Sequence, residues 1–223
     1  MSEMPNPPKM VAVLAGKGGV GKTSLAIGLA AMLGRDQSVA LVDADHQGTA
    51  TRWLRRSSMS AACFRVAADP DPRGATIAAV RDALKACHLI IADGPPGSAE
   101  IIRTLAALAD LVLVPTGPST EEVYLARRVL EVVAEESEVR RSPIPTLIVP
   151  TRWDSRTTLA REALELLGTL GSPVAAPIHN RVAWQEAISA GVWLDAVGGG
   201  GAAEAEAEAV ATHVREALNL SAT

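Results

Sequence analysis

Nine residues, Gly16-Lys17-Gly18-Gly19-Val20-Gly21-Lys22-Thr23-Ser24, constrain this chain more than anything else in it. They stand between an apolar run, Met10 to Ala15, and a segment from Leu25 to Leu33 with helical apolar spacing. A glycine-rich loop that joins a buried strand to a helix is a phosphate cradle. Glycines let the backbone curl around an anion and turn successive N–H groups toward it. From Gly16 to Thr23 the stretch fits G-x-x-x-x-G-K-[ST] in full. In that pattern backbone amides from Gly18, Gly19, Val20 and Gly21 through Ser24 hold phosphates. Lys22 reaches the β and γ phosphates, and Thr23 offers its hydroxyl to Mg²⁺.

The 223 residues suffice for one sizeable core, and a single domain over 1–223 is expected. Residues 1–9 read as a flexible N-terminus and 198–201 as a glycine joint before the last helix. Hydrophobic content of 48% with 3% aromatic describes an Ala/Val/Leu-rich α/β interior. A net charge of −4 excludes a global basic field, so any nucleic-acid contact must come from a local patch. Cys63 and Cys87 form no C-x-x-C and are expected as small, buried or half-buried residues in a reducing cytosol. No apolar run approaches the ~18 residues that span a bilayer, and the proline-rich start lacks a signal-peptide core. The expected location is cytoplasmic.

Short apolar runs alternate with helical patterns, which predicts an α/β fold: a doubly wound, mostly parallel sheet with helices on both faces. The strands are read as 10–15, 39–43, 64–67, 88–93, 111–115, 146–150 and 173–176. The helices are read as 23–33, 49–56, 75–86, 99–108, 121–137, 156–167, 182–190 and 203–218. Two of these strands end in aspartate. One delivers Asp43, with Asp45 two residues on, to the carboxyl edge where open α/β sheets bind ligands. One of that pair can hold Mg²⁺ or its water, and the other can orient the water that attacks a γ-phosphate. The other strand, His88 to Asp93, has the Walker B arrangement, a hard carboxylate near Mg²⁺.

The run Lys17 to Thr23 resembles the deviant Walker A box of the ParA/MinD family of ATPases, P-loop NTPases that bind ATP with Mg²⁺. In that family the early lysine crosses a dimer interface to phosphates bound by the partner, so the resemblance makes Lys17 a catalytic residue acting in trans. Val42 to Gly48 is similar to the family's V-D-x-D-P-Q-G box, with His46 in place of proline. The resemblance gives Asp45 to hydrolysis and Asp43 to the metal shell, with Thr23 and Asp93, and the loss of proline implies a less constrained backbone. Asp93-Gly94-Pro95-Pro96 is similar to the family's D-T-P-P switch, and Gly94 implies a more mobile loop. Val112 to Ser119 is similar to the V-I-P-V-x-P-S loop of small partition ATPases. Thr151 to Thr157 is similar to their N-R-x-D-x-R-T segment, which places Thr151 and Arg152 beside adenine. The same T-R-x-D is also similar to the N/T-K-x-D guanine box of GTPases, where Asp154 would read the base. The likeness covers residues 10–195.

Within this family the acidic stretch Ala203 to Glu208 implies no membrane docking, the cysteines sit outside cluster-binding positions, and Tyr124 is the one tyrosine. A short ParA-type ATPase remains, an enzyme that hydrolyses ATP to ADP and phosphate. It is expected to dimerise with Mg·ATP, possess nonspecific DNA affinity on the nucleoid, and drive segregation of plasmid or chromosomal DNA. Arg52, Arg55 and Arg56, spaced along one helix face, and Arg152, Arg156 and Arg181 are the candidate DNA contacts. With nine residues ahead of the first expected strand no helix-turn-helix is expected, so a separate ParB-like or other small centromere-binding adaptor would stimulate hydrolysis. Two alternatives stay open: positioning of a protein cargo such as a chemosensory array or microcompartment, and a metabolic or maturation ATPase.

Overall fold

Runs of valine, isoleucine and leucine bounded by polar turns form six strands in a computed structural model that describes residues 7–57, 61–66, 69–198 and 200–220. They are β1 (Lys9–Val13), β2 (Val39–Asp43), β3 (Ala62–Arg65), β4 (Leu89–Asp93), β5 (Leu111–Thr116) and β6 (Thr146–Pro150). All pair in parallel, in the order β3-β2-β4-β1-β5-β6. This is the doubly wound α/β arrangement expected from the alternation of patterns. β1 lies centrally, with connections running to either side, so its carboxyl end opens onto the crevice that such sheets use for ligands.

The helices are α1 (Lys22–Leu33), α2 (Thr49–Leu54), α3 (Pro72–Ala86), α4 (Ala99–Leu108), α5 (Thr120–Arg140), α6 (Thr158–Gly168), α7 (Val182–Ala190) and α8 (Gly200–Leu218). Alternation along β1 divides the core. Val11 and Val13 pack with α1 and α8 on one face, while Met10, Ala12 and Leu14 pack on the other against residues of α3, α4 and α5. Helix α1 is apolar almost all round because it is buried between the sheet, α8 and two indoles. A Cβ at Gly28 would come within 3.1 Å of Trp193 and 3.3 Å of Trp184.

Several expectations shift. The seventh strand, 173–176, reduces to one bridge, Ile148 to Val174. Pro173 and Pro177 flank it, and proline cannot donate to a continuing ladder. Helix α2 ends at Leu54, so Arg55 and Arg56 lie in the turn after it instead of on its face. Helix α8 begins inside the expected glycine joint, at Gly200, where an added Cβ would run into the Leu194 carbonyl. Gly199, Ala67 of the expected third strand and residues 1–6 of the expected flexible terminus lie outside the described residues, and Lys9 already opens β1. Cys63 is exposed on β3, against the expected burial, and Cys87 is partly buried. Among the described residues no helix is long and apolar enough to cross a membrane.

Candidate functional site

The loop from β1 to α1 turns through Gly19 (φ 77°) and Gly21 (φ 88°), left-handed conformations that side chains with a Cβ rarely adopt. Gly21 is also the N-cap of α1; it lends no side chain, and the first turn holds no acid. The leading amides of α1 therefore face the loop uncapped by side chains, the arrangement of an anion site. Lys22 is 5% exposed, and its ammonium donates to the Lys17 carbonyl at 2.9 Å. Burial pushes this ammonium below its ordinary pKa, and the charges of Asp93 and Asp45 work against that shift.

Thr23 is next in the chain, and its hydroxyl donates to Asp93 Oδ2 at 2.7 Å. The other oxygen, Oδ1, is buried with no partner. Burial pushes the Asp93 carboxyl up to about 7; Thr23 and Lys22 oppose the shift, while Asp43 and Asp45 add to it. An orphaned hard oxygen beside a hydroxyl is a donor pair that fits a divalent cation such as Mg²⁺. Among the described residues no group of three or more His, Cys, Asp or Glu could hold a metal, so the rest of such a shell would be phosphate oxygens and water. Gly94 after Asp93 is not the loose point expected. Its amide donates to the Val13 carbonyl at 3.1 Å, and a Cβ there would meet Leu14 at 2.7 Å, so threonine would clash.

Asp43 lies beside Asp93 in the sheet register, yet its surroundings differ. Its Oδ2 accepts the Thr51 hydroxyl at 2.6 Å and the Thr51 amide at 2.8 Å, while Oδ1 accepts the Asp45 amide at 3.3 Å. Three donors occupy the group expected in the metal shell. Asp43 instead ties the end of β2 to the first turn of α2. The turn it closes is fixed from outside as well: Asp45 Oδ1 accepts the Gln47 amide at 2.9 Å, and Arg65 donates to the His46 carbonyl at 2.9 Å. Arg52 donates to the Gln47 carbonyl. These bonds supply the constraint that proline would have given at His46. Asp45 remains half-buried and close enough to act electrostatically on both Lys22 and Asp93.

Lys17 does not contribute to the cradle through its ammonium. It pairs at 3.1 Å with Glu121 in the first turn of α5, in a contact exposed on both sides.

Beside the glycine loop lies a cavity of about 210 Å³ lined by apolar Leu25, Ile178, Trp184 and Ile188, with the amides of Asn180 and Gln185. Thr151 and Arg152 line it too, but the Thr151 hydroxyl and one guanidinium nitrogen of Arg152 are engaged elsewhere. The Thr151 hydroxyl donates to the Val20 carbonyl at 2.6 Å, bracing the glycine loop, and Arg152, at φ 54°, is paired with Glu122. Asp154 is absent from the lining. Its carboxylate is held by Arg156, which brings its pKa down to about 2. The guanine-box reading of Asp154 therefore fails on geometry: the group that would read the base is turned to another partner.

The candidate DNA contacts divide. Arg152, Arg156 and Arg181 are each ion-paired, to Glu122, Asp154 and Glu206. Arg52, Arg55 and Arg56 form no ion pair with a carboxylate among the described residues, though Arg56 donates to the Ser189 carbonyl. Thr51, Arg65, Glu121 and Glu122 join the site without a signal of their own in the sequence. Glu121 and Glu122 read there as first-turn acids of a helix, and Thr51 as one small residue of α2.

The profile of the CobQ/CobB/MinD/ParA nucleotide-binding domain matches residues 11–194. The chain is 34% identical over 168 residues to the maintenance of carboxysome distribution protein A of Gloeobacter kilaueensis, covering 73% of this chain and 71% of that one. It is 33% identical over 185 residues to the chromosome-partitioning ATPase Soj of Thermus thermophilus, covering 69% and 73%. Among solved structures, an ATP complex of a variant McdA from Cyanothece superposes with a TM-score of 0.79 at 20% identity, covering 96% of this chain and 98% of that one.

Proposed function

The chain belongs to the CobQ/CobB/MinD/ParA nucleotide-binding family, as a ParA/MinD-type ATPase, and from that premise we propose that it is a ParA-type switch that dimerises on Mg·ATP, binds nonspecific DNA and is reset by hydrolysis. The observation that carries the reading is Lys22: a buried ammonium whose hydrogen-bond partner is one loop carbonyl, and on which the charges of Asp93 and Asp45 act. Such a cation costs stability unless an anion comes to meet it.

In this reading the loop amides from Gly18 to Ser24 and the Lys22 ammonium bind the triphosphate, and the apolar cavity receives the base against Trp184. Thr23 and Asp93 would hold Mg²⁺, which when bound neutralises charge on the β and γ oxygens. Asp45 orients the attacking water, and Lys17 leaves Glu121 to meet the partner's phosphates. Turnover is slow alone and is raised by a small adaptor. Likeness to the carboxysome distribution protein favours a second reading with the same switch, in which DNA is the track and a protein assembly the cargo.

Two variants test the switch. Lys17→Ala and Asp45→Ala are each expected to abolish turnover, with Asp45→Ala still forming ATP-dependent dimers by light scattering. Wild-type rates in both would remove the assignment. DNA retention measured with ATP at low and high salt should fall steeply as salt rises, since phosphate contacts release counterions. Salt-independent retention, or none, would leave an ATPase without the DNA function.

A further inference from the structure

We propose that Thr51, through Asp43, is the positioning residue for the hydrolytic carboxylate Asp45; this rests on the reading of Asp45 given above. Helix α2 starts from an unusual cap. Its N-cap is Gly48, at φ 61°, which has no side chain to satisfy the amides of the first turn. An N-cap side chain normally accepts the amide three residues on, which here is Thr51. Asp43 does this instead, from the end of β2, five residues ahead of the cap. Its Oδ2 takes the Thr51 amide at 2.8 Å and also the Thr51 hydroxyl at 2.6 Å. Asp43 is thus a remote cap, and its negative charge lies where the helix dipole favours one.

The effect runs backward along the chain. With Oδ2 fixed by Thr51, Oδ1 of the same carboxylate is directed at the Asp45 amide, 3.3 Å away. The carboxylate therefore spans both ends of the 43–51 turn, and Asp45 lies inside it. Asp43 is fully buried and Thr51 6% exposed, so water cannot readily replace either partner. Thr51 is also anchored from its far side, since the Cys63 thiol donates to its hydroxyl at 3.6 Å. Strands β2 and β3 and helix α2 meet at this one hydroxyl. If the hydroxyl is removed, Asp43 keeps its two amide donors but loses its shortest bond, so its carboxylate, and with it the Asp45 amide, is held less firmly. Lys22, Thr23 and Asp93 are untouched by that change, so nucleotide binding should survive while the chemical step suffers.

The experiment compares Thr51→Val, which keeps the shape and loses the donor, with Thr51→Ala and Thr51→Ser, and includes Asp45→Asn as a reference. ATPase kcat and KM are measured beside binding of a fluorescent ATP analogue. Thr51→Val and Thr51→Ala are expected to lose about ten- to a hundredfold in kcat, the scale of an ångström-sized misplacement, with KM and analogue affinity within about twofold. Thr51→Ser keeps the donor and should recover most of kcat. Should Thr51→Val not fold, the Thr51→Ala and Thr51→Ser pair carries the comparison. Wild-type kcat in Thr51→Val or Thr51→Ala while Asp45→Asn is dead would overturn this proposal alone. So would a Thr51→Ser as slow as Thr51→Ala, or a loss confined to KM. Wild-type turnover in Asp45→Asn would overturn the underlying role of Asp45.

Discussion

Asp43 and Asp93 end adjacent parallel strands, face each other in register, and are both fully buried, yet the fold uses them in opposite ways. Each closes a run of apolar residues, and in sequence they are the same signal. Around Asp43 the chain supplies three donors, so the carboxylate is complete without a ligand. Around Asp93 it supplies one, from Thr23, and leaves Oδ1 bare. A buried carboxylate that is satisfied organises structure; one left incomplete has an oxygen open to a further partner, at some expense to the apo protein. The difference arises in the segment after each strand. Beyond Asp43 the chain turns and returns Thr51 to it, while beyond Asp93 the run Gly94-Pro95-Pro96 carries the chain away.

The largest effect should come from Asp93→Asn. If the bare oxygen is the metal ligand, ATPase activity with Mg²⁺ should fall by about a hundredfold or more, the loss typical of one preorganised electrostatic contact. Near-wild-type turnover would erase the contrast between the two aspartates. The same variant tests the electrostatics without nucleotide. A carboxyl raised to about 7 keeps its proton in the folded state between roughly pH 4 and 7, where the unfolded chain has released it. Its stabilising contribution is present below the unfolded value and is lost as pH rises through 7. Thermal unfolding of the apo wild type, minus that of Asp93→Asn, should therefore decline across that window and level off above it. A flat difference curve would show that Asp93 is not held protonated.

Asp43→Ala should act on stability first. It strands two amides and a hydroxyl in the interior and removes the cap of α2, a cost of about 2–3 kcal/mol. Chemical denaturation should show that loss in full in the apo protein. Asp93→Ala under the same conditions should lose little, because it removes a group that is poorly satisfied. If the two alanine variants destabilise alike, the contrast drawn from their hydrogen bonds is wrong.

Local signals make much of this legible. The glycine loop, β2, β4 and the apolar run of β1 are plain because each rests on a few consecutive residues. The doubly wound sheet comes from the regular alternation of strand and helix. Harder to read are side chains whose meaning depends on a distant partner. Thr151 reads as a base contact, but its hydroxyl braces the loop through the Val20 carbonyl, 131 positions away. Asp154 can be offered to guanine only while Arg156, which holds it, is left out of view. Gly94 reads as looseness, although it is packed closely by Leu14 from just beyond β1. The expected strand at 173–176 has apolar residues, but Pro173 at its start and Pro177 just after it confine it to one bridge.

Exposure should set the scale for a third carboxylate, Glu121, and here the expected effect is smallest. It holds Lys17 at 3.1 Å, but the two side chains are 67% and 45% exposed, unlike either strand-end aspartate. Exposed pairs contribute about 0–1 kcal/mol, so Glu121→Gln should barely change unfolding in denaturant. Its value as a test lies in the competition it relieves. If Lys17 must leave Glu121 to cross to a partner, removing the carboxylate should tighten ATP-dependent dimerisation by up to about fivefold at low salt, the factor equivalent to 1 kcal/mol. The gain should fade near 1 M salt, where charges are screened within about 3 Å, and it should vanish in a Lys17→Ala background. Sedimentation of the ATP-bound protein reads all three. Weaker dimers in Glu121→Gln would mean instead that the pair orders the lysine for its partner, and that an exposed carboxylate does more here than either exposure or distance implies.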